Sequence, residues 1–310
     1  MLGVAVLDKL PPSVSIYEVS PRDGLQNEAA PIPLASKLEL LHALVASGLR
    51  RIELTSFVSP RWVPQLADAE ELVRLAEPPP GVTVSALVPN AKGFERALSA
   101  GLREIAVFMS ASETHNRKNT NKSIADSLHT FAEVVKPARA AGLAVRAYVS
   151  TVWGCPYEGD VPVGTSLGIA RELLELGCYQ VSLGDTIGVG TPLQTKRIVE
   201  AFLSEIPAPQ LALHLHDTRG TALANALVGL ELGICDFDAS VAGIGGCPYA
   251  PGAAGNLATE DLVYMLEGLG VPTGIDLDLL IEAGRVAENV LGRRLPGKVH
   301  QAGPRTLRPA

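Results

Sequence analysis

His214-Leu215-His216-Asp217 is the densest run of metal-binding residue types in the chain. Side chains two apart on a strand point to the same side, so His214 and His216 would offer two imidazoles to one divalent cation. A second cluster, residues 18–28, holds Arg22-Asp23-Gly24 in a polar loop. Asp-Gly also serves turn geometry alone. Read for chemistry, Asp23 is a carboxylate ligand, Arg22 a fixed cation aimed at a developing oxyanion, and Gln26 a further hydrogen-bonding group. Glu53 lies between Ile52 and Leu54 in a strand-like run. A carboxylate buried there needs a partner, which makes it a core ion pair or a support for Arg22 or a metal-bound water. Asp185, in Leu183-Gly184-Asp185-Thr186, has the same standing as a supporting acid.

Residues 240–256 form the longest Gly-rich stretch and carry Cys247. An irregular run of this length calls for a function. A thiol on a loop at the mouth of a site fits a lid with an acid/base role. Asn256, at its end, is either an N-cap for the next helix or an amide-oxygen ligand. Cys155 stands in a comparable setting, Gly154-Cys155-Pro156-Tyr157, and the residues alone leave open which thiol matters. Residues 110–122 read as a polar loop whose Arg117, Lys118 and Lys122 are either solvated or a seat for a phosphorylated ligand. His42, His129 and His300 are assigned no role.

These groups converge only if the elements between them bring them to one place. Strands are predicted at 14–19, 50–57, 82–88, 104–109, 144–149, 179–183, 211–215 and 235–239. Helices are predicted between them, among them 34–47, with Leu38, Leu41 and Leu44 at helical spacing, and 119–141, where Pro137 would kink or divide the helix. Gly48, Gly101, Gly142 and Gly177 each follow an Ala/Leu-rich stretch as helix stops. Eight strand–helix units fit a closed (β/α)₈ TIM barrel, whose chemistry sits at the C-terminal ends of the strands. There, strands one, eight and seven are near neighbours, so Arg22-Asp23 and His214-His216 converge. An open doubly wound sheet is the structural alternative, but no Gly-x-Gly-x-x-Gly follows the first strand. Two further helices, 257–269 and 277–291, should cover the barrel, giving one domain over 1–296 and a loose polar tail over 297–310.

Composition narrows the class. The 310 residues are 47% hydrophobic and 19% charged, enough for a large core and unlike a disordered chain. A net charge of −7 argues against a broad nucleic-acid surface. No apolar run reaches the roughly 18 residues of a membrane span. The first ten residues do not read as a secretory leader. Cys155, Cys178, Cys235 and Cys247 match no compact zinc knuckle and read as reduced thiols in a cytoplasmic protein.

Together with Thr55-Ser56-Phe57-Val58-Ser59-Pro60, the segments around Asp23, Cys155, Asp185 and His214 resemble a superfamily of metal-dependent barrel lyases. Its members include hydroxymethylglutaryl-CoA lyases, isopropylmalate and homocitrate synthases and hydroxy-oxovalerate aldolases. Gly245-Gly246-Cys247-Pro248-Tyr249-Ala250, followed by Gly255-Asn256-Leu257-Ala258-Thr259-Glu260-Asp261, is more specific and looks like the hydroxymethylglutaryl-CoA lyase family. The resemblance implies that Asp23, His214, His216 and Asn256 hold a divalent metal, Mg²⁺ or Mn²⁺. It also implies that Arg22 stabilises an enolate, that Cys247 does acid/base work, and that Glu53 and Asp185 support them. The implied reaction cleaves (S)-3-hydroxy-3-methylglutaryl-CoA to acetyl-CoA and acetoacetate, with Asp23 and His214 as candidate bases. An acyl-CoA substrate, a homodimer and a cytoplasmic location come with it. The rivals are a lyase for a larger 3-alkyl substrate, such as the isohexenyl compound, and a synthase or aldolase of the same superfamily.

Overall fold

Strand-forming runs rich in Val, Ile, Leu and Ala alternate with amphipathic helices, and the computed structural model, which describes residues 10–245 and 255–304, closes them into one ring. The strands are β1 (Ser15–Glu18), β2 (Arg51–Ser56), β3 (Thr83–Leu87), β4 (Glu104–Ser110), β5 (Ala144–Ser150), β6 (Gln180–Asp185), β7 (Leu211–Leu215) and β8 (Asp236–Ala239). All pair in parallel and in chain order, and β1 closes on β8 through Ser15 opposite Asp236 and Glu18 opposite Ala239. The connecting helices are α1 (Leu34–Ala46), α2 (Ala69–Ala76), α3 (Ala91–Ser99), α4 (Glu113–Thr120), α5 (Ile124–Ala140), α6 (Val163–Leu176), α7 (Pro192–Leu203) and α8 (Ala222–Glu231). Then come α9 (Thr259–Gly268), α10 (Leu277–Leu291) and α11 (Lys298–Ala302). The TIM barrel with added C-terminal helices is the fold expected from the sequence.

The aliphatic core lies between the ring and its helices, where Leu40, Leu44, Val134, Ile198 and Leu230 are almost fully buried. Gly48 shows why the stops are glycine. It sits at φ +101°, and a Cβ there would lie 2.5 Å from the Gly274 carbonyl oxygen. Inside the ring the composition changes. A ladder of cations and rings runs along it: Arg51 lies 4.9 Å from the Tyr17 ring centre, Arg146 lies 4.3 Å from Tyr17 and 5.0 Å from Tyr148, and Arg22 lies 5.6 Å from Tyr148. Each arginine has its own acid: Asp236 for Arg51, Asp238 for Arg146 and Glu53 for Arg22.

Three expectations need correction. Residues 113–120, read as part of a loop, form α4, because the Ser112 hydroxyl caps the His115 amide. The expected single helix over 119–141 therefore begins later. Asn121 takes the left-handed conformation at φ 57°, and a Ser123/Asp126 capping box restarts the chain as α5, which runs unbroken past Pro137. The tail was expected to be loose from Gly297, yet residues 297–302 are docked. Gly297 donates to the Ala242 carbonyl (2.9 Å), and the Lys298 and Val299 amides donate to Asp261. Lys298 Nζ reaches Asp217 Oδ2 at 2.9 Å, while buried His300 sits 3.3 Å from Glu288. No helix among the described residues is long and apolar enough to cross a membrane.

Candidate active site and cation centre

Asp23 is presented by a π-helical turn, Ser20–Gly24, that leaves β1. The amides of Arg22, Asp23 and Gly24 all point at one acceptor, the Val19 carbonyl, at 3.2, 2.7 and 3.3 Å. Buried Glu18 anchors this turn to the rest of the mouth. Its carboxylate accepts from the amides of Ser20 and Val241 and from the Thr259 hydroxyl at 3.0, 2.9 and 2.6 Å. His214 and His216 leave the end of β7, as their strand spacing requires. Asn256 arrives because residues 255–257 run along that same exit: Asp217 donates to the Gly255 carbonyl and Leu257 to the Leu215 carbonyl. Asn256 is not an N-cap, since Ala258 occupies that place on α9.

The four predicted ligands meet. Asp23, His214 and His216 offer ligand atoms all within 4.8 Å of one another, and Asn256 Nδ2 donates to Asp23 Oδ2 at 2.9 Å. Asp23 Oδ1 accepts from Arg22 Nη1 (2.6 Å) and Gln26 Nε2 (2.8 Å). His214 Nε2 lies 3.9 Å from Asp23 Oδ2 and 3.2 Å from His216 Nε2. Two buried atoms here have no hydrogen-bond partner among the described residues: Asn256 Oδ1 and His216 Nδ1. A buried amide oxygen with no donor, beside a carboxylate and two imidazoles, completes a donor set that fits a divalent metal. Burial opposes charge on Asp23, but Arg22, His214 and His216 outweigh it and hold the carboxyl at about 2. Burial and the His214 neighbour push His216 down to about 4, keeping it neutral as a ligand must be.

Arg22 is fixed from below by Glu53, whose Oε2 accepts from Nε at 2.5 Å. Glu53 is fully buried and sits where the β2–β3 register shifts, a local irregularity that re-aims side chains. It holds Arg22 rather than facing the site. Asp185 is likewise not part of the reacting surface. Its carboxylate accepts from the amides of Val189 and Gly190 (3.0 and 2.9 Å) and closes the turn after β6. Cys247 lies outside the described residues. The other candidate thiol, Cys155, is buried in its own loop, where its sulfur donates to Ser112 Oγ at 3.0 Å and accepts from the Tyr157 and Glu158 amides.

The cluster opens into a cavity of about 910 Å³. Arg22, Asp23, Gln26, His214 and His216 line it, together with Arg117, Lys118 and Lys122. The basic residues read as a possible phosphate seat therefore do face the site. Three inward residues escaped the sequence reading: Tyr148, Arg146 and Asp238. The last was legible in principle, because Asp238 is an acid between Phe237 and Ala239 in a predicted strand, the same signal that marked Glu53.

A closed parallel barrel that gathers two imidazoles, a carboxylate and an arginine at the C-terminal ends of its strands defines a barrel enzyme with a candidate divalent-cation site. Residues 13–287 match the HMGL-like family model, and the chain belongs to that family. It is 53% identical to the mitochondrial hydroxymethylglutaryl-CoA lyase of Bos taurus over 94% of this chain and 90% of the bovine one. It is 53% identical to the 3-hydroxy-3-isohexenylglutaryl-CoA/hydroxymethylglutaryl-CoA lyase of Pseudomonas aeruginosa over 92% of this chain and 95% of that one. The structure of an HMG-CoA lyase from Acinetobacter baumannii, in complex with coenzyme A and 3-methylmalate, superposes with a TM-score of 0.92 at 41% identity, covering 96% of this chain and 98% of the other.

Proposed function

We propose that this protein cleaves (S)-3-hydroxy-3-methylglutaryl-CoA into acetyl-CoA and acetoacetate, using Mg²⁺ or Mn²⁺. The observation that carries the reading is the meeting of Asp23, His214, His216 and Asn256 beside Arg22 at a large cavity that Arg117, Lys118 and Lys122 also line. A divalent cation held by those four residues would supply Lewis acidity that lowers the pKa of the substrate's tertiary hydroxyl. Loss of that proton lets the C2–C3 bond break, leaving the ketone of acetoacetate and the enolate of acetyl-CoA. Arg22, locked by Glu53, stands ready to stabilise the enolate oxygen. Asp23 and His214 are the two candidates for the base that takes this proton. Cys247 is assigned the proton returned to the enolate carbon. Arg117, Lys118 and Lys122, which line the same cavity, are assigned the phosphates of coenzyme A. A homodimer in the cytoplasm completes the proposal.

The test strips the protein with a chelator, restores Mg²⁺ or Mn²⁺, and measures kcat/KM for acetyl-CoA release. Rapid, metal-dependent cleavage of the methyl compound is expected, with activity lost in Cys247→Ser. The P. aeruginosa relative makes the isohexenyl homologue the second substrate to assay. A preference for it would reassign the substrate but keep the chemistry. Cleavage of neither compound by metal-loaded protein would overturn the reading.

A further inference from the structure

Asp238 is opposite His214 in the β7–β8 register, and both side chains turn into the ring. Its Oδ2 lies 3.2 Å from His214 Nδ1 and also accepts from Ser182 Oγ at 2.7 Å. Arg146 grips the same carboxylate with two nitrogens, Nη2 to Oδ1 at 2.6 Å and Nη1 to Oδ2 at 3.2 Å, and its Nε donates to Gln180. None of Arg146, Asp238 or Ser182 is more than 2% exposed. A carboxylate so fully supplied with donors acts only as an acceptor, so the hydrogen on His214 belongs on Nδ1 and the lone pair on Nε2. Nε2 is the atom that faces Asp23 and His216. His216 has no such support, since its Nδ1 is buried without a partner among the described residues.

We infer that Asp238, clamped by Arg146, is a positioning residue that fixes His214 as the Nδ1–H tautomer and so presents a preformed ligand, whereas His216 acquires its ligating tautomer only when the cation arrives. The inference rests on reading Asp23, His214 and His216 as cation ligands. It makes the two histidines unequal: one is set by the fold, the other by the metal.

Nitrogen-15 imidazole spectra of the metal-free wild-type protein, assigned by the signals lost in His214→Asn, test this without relying on a damaged core. The expected spectrum shows His214 protonated on Nδ1; a proton on Nε2 overturns the inference. Mn²⁺ binding to substrate-free protein supplies the second readout. Asp238→Asn keeps an acceptor for Nδ1 but loses the charge, and is expected to weaken Mn²⁺ binding by about 10–100-fold. Ser182→Ala removes one neutral donor and is expected to change it by less than about tenfold. A folded Asp238→Asn protein that binds Mn²⁺ as wild type does would also overturn the inference. Failure of the wild type to bind Mn²⁺ would instead strike at the cation reading itself.

Discussion

Arg146 and Arg22 are rungs of one ladder, each beside Tyr148 and each paired with a fully buried acid, yet they differ in what surrounds them. Around Arg146 and Arg51 the polar partners other than the shared Tyr148 hydroxyl are matched: Asp238, Gln180 and Ser182 with Arg146, and Asp236, Ser15, Tyr179 and Glu104 with Arg51 and Tyr17. Around Arg22 the matching fails. Glu53 Oε1, the Tyr148 hydroxyl, Asn256 Oδ1 and His216 Nδ1 are buried without partners among the described residues. A buried polar group left unpaired costs stability, so a cluster of them marks where a ligand completes the structure. The same residue types thus build a structural pillar at one level of the barrel and a reactive mouth at the next.

That contrast can be broken by experiment. Arg146→Met strands Asp238 as a buried unpaired charge and should reduce stability by about 3–5 kcal/mol, read from the denaturant midpoint. A loss below about 1 kcal/mol would erase the distinction between pillar and mouth. Arg22→Gln should instead act on turnover, lowering kcat by about 10²–10³-fold while the protein stays folded. A kcat within a factor of ten of wild type would remove Arg22 from the chemistry.

Glu260 sharpens the comparison through pH. Burial raises its carboxyl to about 8, against the pull of the Ala242 amide, and one of its oxygens is another orphan. The folded protein therefore holds a proton that the unfolded chain releases above about 4.5. Stability should fall as pH rises from about 4.5 to 8 and then level off, and Glu260→Gln should flatten that fall. A slope unchanged in the variant would place the titration elsewhere. The smallest effect belongs to the rim. Lys298→Ala removes an exposed pair with Asp217, worth at most about 1 kcal/mol in a thermal melt. A larger loss would show that α11 holds more of the mouth than its surface contacts indicate.

Much of this was legible in the chain. Eight strand–helix alternations, four of them marked by glycine stops, pointed to the ring, and the Arg-Asp and His-x-His spacings marked the cation site. The pillar as an arrangement was not: Asp238 carries a signal of its own, but Tyr17 and Arg146 look ordinary alone. Tyr17, Arg146 and Asp238 lie on three different strands, and only closure of the sheet stacks them. The short helices were missed for a different reason. α4 and α11 carry few apolar residues, so no hydrophobic stripe announces them. What holds them is a serine cap in one case, and in the other hydrogen bonds to Asp261 and Ala242, residues far back in the sequence.

The docking of residues 297–300 also orders events in time. A ribosome delivers all eight strands, and every ligand of the cation site, before it delivers Gly297 and Lys298. Until then the turn at Ala242 and the segment at Asp217 lack the bonds that later tie them down. A nascent barrel is thus a ring with an unlatched mouth. The latch is cut from a stretch that emerges after the whole ring, so the site is finished only after every one of its ligands has been made.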